Sequence, residues 1–450
     1  MKNPLSRYVC SLVLGCAFAA SAIADTIANP ALDARERDIV EAVSARHTQA
    51  IALLRASVEI NSGTMNLDGV RRVGEMLAEE FRDIGFSTEW VDGSAFNRAG
   101  HLVASGGSEG PRVLLIGHLD TVFPLDASFQ EWTELEDGRV RAPGITDMKG
   151  GNVIMLEALR ALQQVGALDG LQVRAVLTGD EEDRGRPLNL ANRALEDAAK
   201  WADYAIGFED GDGDAATAVI ARRGSSSWQL STRGRPAHSS QIFREDIGDG
   251  AAFEMARILN AWREALSIEE NLTFNPGLVM AGTDIRHDTA NTRGEAFGKG
   301  NVIAQTAVAT GGIRALSPQQ LDRAVSVMRE IASNNLNGTQ AEFVFDPGYP
   351  PMPPSDANQG LLALYSAASG ALGLGGVRAV NPRLAGAADV SFTAPYVRAA
   401  LDGIGMMGSG GHTVDEAAEL TTLLTQSQRA ALFLYRLSNS PDAFPSAPAQ

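Results

Sequence analysis

Histidines and carboxylates recur in this sequence at positions where a chain can gather chemistry. His118 and Asp120 form Gly117-His-Leu-Asp120 directly after the apolar run 113–116. Residues two apart on a strand point to the same side, so Asp120 can orient or charge-balance whatever His118 holds. Alone, a His-x-Asp at a strand end is an ordinary surface or cap pair. Asp147 lies in Gly144-Ile-Thr-Asp-Met-Lys-Gly-Gly151, where a helix is expected to start. The glycines allow close backbone approach and leave the carboxylate free to coordinate, the plain alternative being an N-cap aspartate. Asp180-Glu-Glu-Asp183 follows the apolar run 173–178. Such a run ordinarily reads as a solvated loop. Yet four like charges at the mouth of a buried strand repel one another, and a bound dication offsets that repulsion. Glu209 follows the apolar run 204–208, and His412, in Gly408-Ser-Gly-Gly-His-Thr413, follows 401–407.

These positions converge. His118, Asp147, Glu181 with Glu182, Glu209 and His412 each fall at the carboxyl end of an expected strand or the start of an expected helix. In an open α/β sheet those ends share one place. Two histidines and three carboxylates suit two zinc ions sharing a bridging carboxylate, with one acid left over as a base. The two cysteines, Cys10 and Cys16, lie at the N-terminus, so a metal in the body of the protein must be held by His and carboxylates.

The elements that must position these residues are readable from hydrophobic period. Helical spacing runs over 33–58 (Ile39, Val43, Ala50, Leu53, Leu54) and 68–84 (Val70, Val73, Leu77, Phe81), and further helices are expected over 151–165, 188–200 and 415–437. The apolar runs between them are continuous rather than alternating, which predicts a mixed, largely parallel sheet with helices on both faces. Residues 216–347 differ. They read as strand 218–232, helix 247–266, strand 272–281, strand 301–313, helix 318–334 and strand 339–345, a ferredoxin-like βαββαβ order. That predicts an inserted α+β domain splitting a catalytic domain of 25–215 and 348–450. The return through Asp346-Pro-Gly-Tyr-Pro-Pro-Met-Pro-Pro354 is expected to be stiff, extended and free of regular structure.

The chain has 450 residues, 44% hydrophobic and 21% charged, enough for two or three domains with sizeable cores. A formal charge of -17 removes the attraction to phosphate on which nucleic-acid and anionic-membrane binding rest, so neither partner is expected. Lys2 and Arg7, the short apolar stretch 9–20 and Ala22-Ile-Ala24 read as a signal peptide over 1–24, and the mature protein as periplasmic or secreted. Lipoprotein anchoring at Cys16 is the weaker reading, because Leu14 fits poorly before the small residue. The Pro-rich tail 440–450 reads as disordered. His47, His101 and His287 read as structural or solvent-facing. Trp90, Trp132, Trp201, Trp228 and Trp262 read as packing residues.

Gly117-His-Leu-Asp-Thr-Val-Phe-Pro124, Asp147-Met-Lys-Gly-Gly151, Asp180-Glu-Glu182 and Gly411-His-Thr-Val-Asp-Glu416 together resemble the motifs of a known family. This is the co-catalytic zinc metallopeptidases, which include bacterial glutamate carboxypeptidase, acetylornithine deacetylase, succinyl-diaminopimelate desuccinylase and aminoacylase. The resemblance spans essentially the whole chain after the leader. It implies that Asp147 bridges two Zn2+ ions, or Co2+ or Mn2+ in their place. Glu182 and His412 would complete one site, and His118 and Glu209 the other. Glu181 would be the general base and Asp120 the partner of His118. In the inserted domain, His238 in Ala-His-Ser-Ser would serve the oxyanion, and Asn301 and Arg314 a substrate carboxylate. The resemblance also implies a homodimer formed through that domain, and a small peptide or N-acyl amino acid as substrate. Ala304 after Asn301-Val-Ile, Gly311-Gly312 before Arg314, and Asp183-Arg-Gly-Arg186 after the glutamate pair depart from the family pattern without touching an implied ligand.

The expected activity is therefore that of an exported di-zinc hydrolase of the glutamate carboxypeptidase type, using Glu181-assisted attack of a metal-bridging water. An aminoacylase or dipeptidase on the same scaffold is the near alternative. A non-catalytic periplasmic binding protein is the alternative from another class, and it has no reason to keep every ligand and the base.

Overall fold

The computed structural model describes residues 31–289 and 293–440. The expected leader 1–24 and the tail beyond 440 lie outside the described residues. In chain order the main helices are α1 (Ala34–Ala45), α2 (His47–Val58), α3 (Leu67–Asp83), α4 (Gly150–Gln164), α5 (Arg193–Trp201), α6 (Gly250–Leu266), α7 (Pro318–Ser333), α8 (Asp356–Ala371) and α9 (Leu420–Ser438). The main strands are β1 (Ser87–Asp92), β2 (Gly100–Gly107), β3 (Arg112–His118), β4 (Gln172–Thr178), β5 (Tyr204–Gly207), β6 (Ser225–Arg233), β7 (Thr273–Gly282), β8 (Asp284–Asp288), β9 (Arg293–Phe297), β10 (Thr306–Arg314), β11 (Gln340–Tyr349) and β12 (Ala399–Leu401).

The larger sheet has the order β1-β2-β4-β3-β5-β12. Its β4, β3, β5 and β12 run parallel, and β1 and β2 form an antiparallel edge. The parallel strands are apolar throughout because both faces are covered. Val113 and Leu115 join one core with α1, α2, α3, α4 and α9, while Leu114 and Ile116 join a second core with α5. Each such fully buried side chain stabilises the fold by about 1.5–3 kcal/mol.

Several boundaries differ from the sequence expectation. The helical stretch 33–58 is two helices, broken at Arg46, whose guanidinium reaches the buried Glu157 at 2.9 Å. The α1 helix starts with a reciprocal cap between Asp33 and Glu36. The stretch 188–200 is likewise divided, into Leu188–Ala191 and α5. Strand β12 stops at Leu401, although Met406 and Met407 downstream are buried. The following Gly403 has φ 71, and a side chain on Gly405 would collide with the Phe208 carbonyl. Helix α9 starts at Leu420 rather than 415, because Ala417–Ala418 pairs with Val140–Arg141.

The smaller sheet has the order β7-β10-β6-β11, antiparallel throughout, and is covered by α6 and α7 around an edge-on Trp228–Trp262 contact at 5.1 Å. An unexpected hairpin, β8–β9, leaves it between β7 and β10. The expected strand 218–232 is two pieces. Thr217–Ala218 pairs with Arg378–Ala379 and Val219 with Asp402, beside the larger sheet, and the smaller sheet starts only at Ser225. Arg222 and Met352 exchange backbone hydrogen bonds at 2.9 Å where the chain crosses between the two sheets. Strand β11 continues through Pro347 to Tyr349. Pro347 is tolerated there because β11 is an edge strand with a register shift between Asp346 and Tyr349, so no ladder donor is lost. Among the described residues no helix is long and apolar enough to cross a membrane.

Candidate metal centre

The β3 strand ends on His118, and its ring is fixed from behind. Nδ1 lies 3.0 Å from the Asp120 carbonyl oxygen, so that nitrogen carries the hydrogen and Nε2 faces the opening. Asn152 donates to the His118 carbonyl at 2.6 Å, fastening the strand end to α4.

Asp147 is not an N-cap. Helix α4 begins at Gly150, and Asp147 precedes it in a tight turn with φ -117 and ψ 90. Glu416 shapes that turn. Its buried carboxylate accepts the N–H groups of Gly144 and Thr146, each at 2.9 Å, and that of Asp147 at 3.3 Å. Lys149, also buried, donates to the carbonyls of Ser57 and Ile60 at 2.9 and 2.8 Å, tying the turn to the end of α2. Gly151 permits the approach to the sheet, since a Cβ there would stand 2.0 Å from the Phe208 carbonyl oxygen. As a result Asp147 faces both histidines. Its Oδ1 is 2.9 Å from His118 Nε2, and its Oδ2 is 2.9 Å from His412 Nε2.

His412 arrives on a loop held by short pairings, Gly408–Ser409 with Ala417–Ala418 and the latter with Val140–Arg141, on the chain that enters the Asp147 turn. The residue itself takes φ 64, and its side chain is 58% exposed. The glutamate pair follows β4. Asp120 sits beneath it, its buried carboxylate accepting the N–H groups of Glu181 and Glu182 at 3.0 and 3.1 Å and the Thr64 hydroxyl at 2.6 Å. Glu182 Oε2 lies 3.2 Å from His412 Nε2, and Glu209 Oε1 lies 3.5 Å from His118 Nε2.

Two candidate ligand groups emerge, His118–Asp147–Glu209 and Asp147–Glu182–His412, the atoms of each lying within 4.8 Å of one another. Glu181 belongs to neither. Each group offers one imidazole nitrogen, one terminal carboxylate and one oxygen of the shared Asp147, which suits tetrahedral zinc with a position left for water or substrate. Glu182 Oε1 is buried without a hydrogen-bond partner, as an oxygen kept for a cation would be.

Burial and the neighbouring charges shift the groups around Asp147. Burial lifts Glu181 to about 7, with Asp147 and Asp120 adding to the shift and His118 and Arg184 opposing it. Burial, with Asp147 beside them, also lifts Glu182 to about 8 and Asp210 to about 7, and holds Glu209 well above the usual carboxylate range. Burial pushes Asp147 up as well, but hydrogen bonds from His118 and His412 outweigh it and hold the carboxyl low. Hydrogen bonds to Asp147 and Glu182 raise His412 to about 11. Burial opposes a charge on His118, yet Glu209, Asp120 and Asp147 hold its pKa well above the ordinary value.

Reading the sequence missed the residues that hold the site from behind: Asn152, Glu416 and Lys149, and also Asp402, Arg184 and Tyr349. Asp402 accepts the Glu209 N–H at 3.4 Å and pairs with buried Arg222 at 2.9 Å. Arg184 is buried against Asp180, Asp389 and Tyr349, and the Tyr349 hydroxyl donates to the Glu181 carbonyl at 2.6 Å. For Lys149 and Asp402 the available signal was a charge beside an apolar or glycine-rich segment destined for burial. His101 is structural as expected, stacked on Phe96, its ring between the Ala191 carbonyl and the Gly179 N–H.

His238, Asn301 and Arg314 belong to the smaller sheet and its loops. No described hydrogen bond or ion pair joins them to the ligand cluster. His238 and Asn301 are neighbours, linked by the 2.9 Å bond from the Ser239 N–H to the Asn301 carbonyl. Asn301 lies in the loop before β10, not within the strand as expected. Arg314 stands at that strand's far end.

The profile of peptidase family M20/M25/M40 matches residues 114–436. The chain belongs to this family. Carboxypeptidase G2 of a Pseudomonas species is 24% identical over 422 residues, covering 92% of this chain and 93% of that protein. A succinyl-diaminopimelate desuccinylase of a Bradyrhizobium species is 26% identical over 400 residues, covering 84% and 96%. A dinuclear metal-binding M20 peptidase of Bacillus subtilis shares the fold at a TM-score of 0.62 and 17% identity, over 88% of this chain and 99% of that one. As a member of this peptidase family the chain is a hydrolase acting on amide bonds, and its described residues include two groups that could each hold a metal ion.

Proposed function

We propose that the chain is an exported hydrolase holding two zinc ions that releases a C-terminal amino acid from a small peptide or N-acyl conjugate, as a glutamate carboxypeptidase does. The observation that carries this reading is the two-sided use of Asp147, one oxygen toward each histidine at 2.9 Å. The metal pair, when bound, supplies acidified water and polarises the scissile carbonyl. Glu181 ligates nothing and, with its carboxyl lifted to about 7 by burial, is poised near neutral pH. It takes a proton from the attacking water and delivers it to the leaving nitrogen as the C–N bond breaks, giving a carboxylic acid and a free amine.

Arg314 has no side-chain partner among the described residues, and in this reading it holds the substrate carboxylate together with Asn301. His238 donates to the oxyanion. Export rests on the leader-like residues 1–24, and dimerisation on the smaller sheet, whose outer strands β7 and β11 are open to pairing. The test is hydrolysis of C-terminally varied dipeptides and N-acyl amino acids, with and without chelator. Release of the C-terminal amino acid, abolished by chelator and restored by zinc, is the expected result. Release only from substrates with a free N-terminal amine would move the assignment to a dipeptidase or aminopeptidase.

A further inference from the structure

A groove of about 730 Å3 opens beside the metal centre, with Glu182 in its wall. Such a volume is that of a small-molecule site. Its sides are Met65 and Leu67 from the start of α3 and the residues just before it, and Val122, Pro124 and Leu125 from the segment that continues out of His118 and Asp120. Three of these side chains are large, apolar and open to water: Met65 is 64% exposed, Leu67 41% and Leu125 69%. The walls are stitched together. Gly63 pairs with Thr121, the Thr64 N–H donates to the Thr121 carbonyl at 3.1 Å, and Asn61 donates to the Phe123 carbonyl at 3.0 Å. Gly63 has no room for a side chain, since a Cβ would stand 2.3 Å from the Phe123 carbonyl oxygen. The groove is therefore preformed.

Its charges are informative too. The ionisable residues lining it are Asp68, Glu182 and Asp183, and no Lys, Arg or His joins them. Asp183 is already paired with Arg98 at 2.9 Å. With Glu182 committed to the metal and Asp183 to Arg98, the lining offers a substrate carboxylate no free basic side chain and leaves Asp68 to repel it, so this side of the centre takes the half of the substrate without the amino-acid carboxylate. We infer that the groove beside Glu182 binds the acyl half of the substrate, and that this half is an uncharged, extended apolar group such as a medium-chain acyl. The inference rests on the hydrolase reading above and adds the class of acyl group. It separates this chain from a desuccinylase, whose succinyl group carries a second carboxylate.

The test uses the zinc-loaded full-length enzyme. The released amino acid is first chosen as the one freed fastest from a set of N-butanoyl amino acids. With it fixed, kcat/KM is measured for the acetyl, butanoyl, hexanoyl, octanoyl, succinyl, 4-methylpentanoyl and leucyl conjugates. The expected result is a rise of up to about fourfold per methylene while the chain fills the groove, with butanoyl above succinyl and 4-methylpentanoyl above leucyl. Met65→Ser with Leu125→Ser, both exposed and unconnected to the metal ligands, should lower the octanoyl-to-acetyl ratio at least tenfold with zinc content retained. A flat or falling chain-length series, succinyl above butanoyl, leucyl above 4-methylpentanoyl, or an unchanged ratio in the double variant overturns the acyl assignment. If no conjugate of any kind is hydrolysed, it is the hydrolase reading that fails.

Discussion

Glu181 and Glu182 are adjacent, both anchored through their N–H groups to Asp120, yet only Glu182 reaches a histidine. Glu181→Gln should therefore lower kcat by about a hundredfold to ten-thousandfold and keep the metal. Glu182→Gln should lose metal from the His412 side, and the opposite pattern in a metal assay would swap the two roles. Protonation gives a second prediction. In the metal-free protein at pH 7, hydrogen bonds to Asp147 and Glu182 hold His412 (about 11) protonated, and it must shed that proton to ligate. Adding zinc to stripped protein in weak buffer should release protons, and affinity should rise with pH; an indicator dye showing no acidification would contradict this geometry. The candidate ligands stood out in the sequence because His and acids at strand ends have few other uses in such numbers. Glu416 and Lys149 were not, because each acts on backbone carbonyls or N–H groups that only the folded turn brings near. The spacing around Asp147 was equally compatible with an N-cap, and the position of Glu416 decides against it.

At the scale of elements, the last residue of β11 reaches the catalytic turn. The Tyr349 hydroxyl accepts from Arg184 at 2.9 Å and donates to the Glu181 carbonyl at 2.6 Å, so an edge strand of the smaller sheet steadies Glu181, the proposed base. Tyr349→Phe keeps the ring's contact with Phe392, 5.0 Å between centroids, and removes one bridge worth about 0.5–1.5 kcal/mol. The expected result is a kcat loss of about three- to tenfold with KM and zinc content little changed; unaltered kcat would make the bridge incidental. Parallel strands were readable because both faces of β3 are buried, Leu115 toward one core and Leu114 toward the other. What escaped was pairing at a distance. The Ala417–Ala418 strand exists because Val140–Arg141 and Gly408–Ser409 lie on either side of it, and the hairpin β8–β9 is too polar and exposed to show a core-facing period.

Across the whole molecule, β10 separates two of the residues assigned to substrate from the third. Asn301 and neighbouring His238 lie near its start and Arg314 is its last residue, and the nine-residue strand itself is about 26 Å long. One copy of the smaller sheet is therefore poorly placed to bring all three to one substrate, which favours His238, and Asn301 beside it, reaching a partner's site where that chain's own Arg314 acts. Mixed dimers of His238→Ala and Glu181→Gln should then regain activity that neither parent has, since one site receives both intact groups. If His238 acts within its own chain, the mixture stays dead. Arg314→Ala should raise KM strongly for substrates with a free terminal carboxylate and much less for their amides, and equal losses on both would make Arg314 structural. The central claim remains the bridging role of Asp147, and metal counting tests it most directly. Chelator-stripped protein reloaded with zinc and dialysed exhaustively should retain about two equivalents per chain, falling to about one in His118→Ala and in His412→Ala. Full activity in a chain that holds no divalent metal would contradict the account.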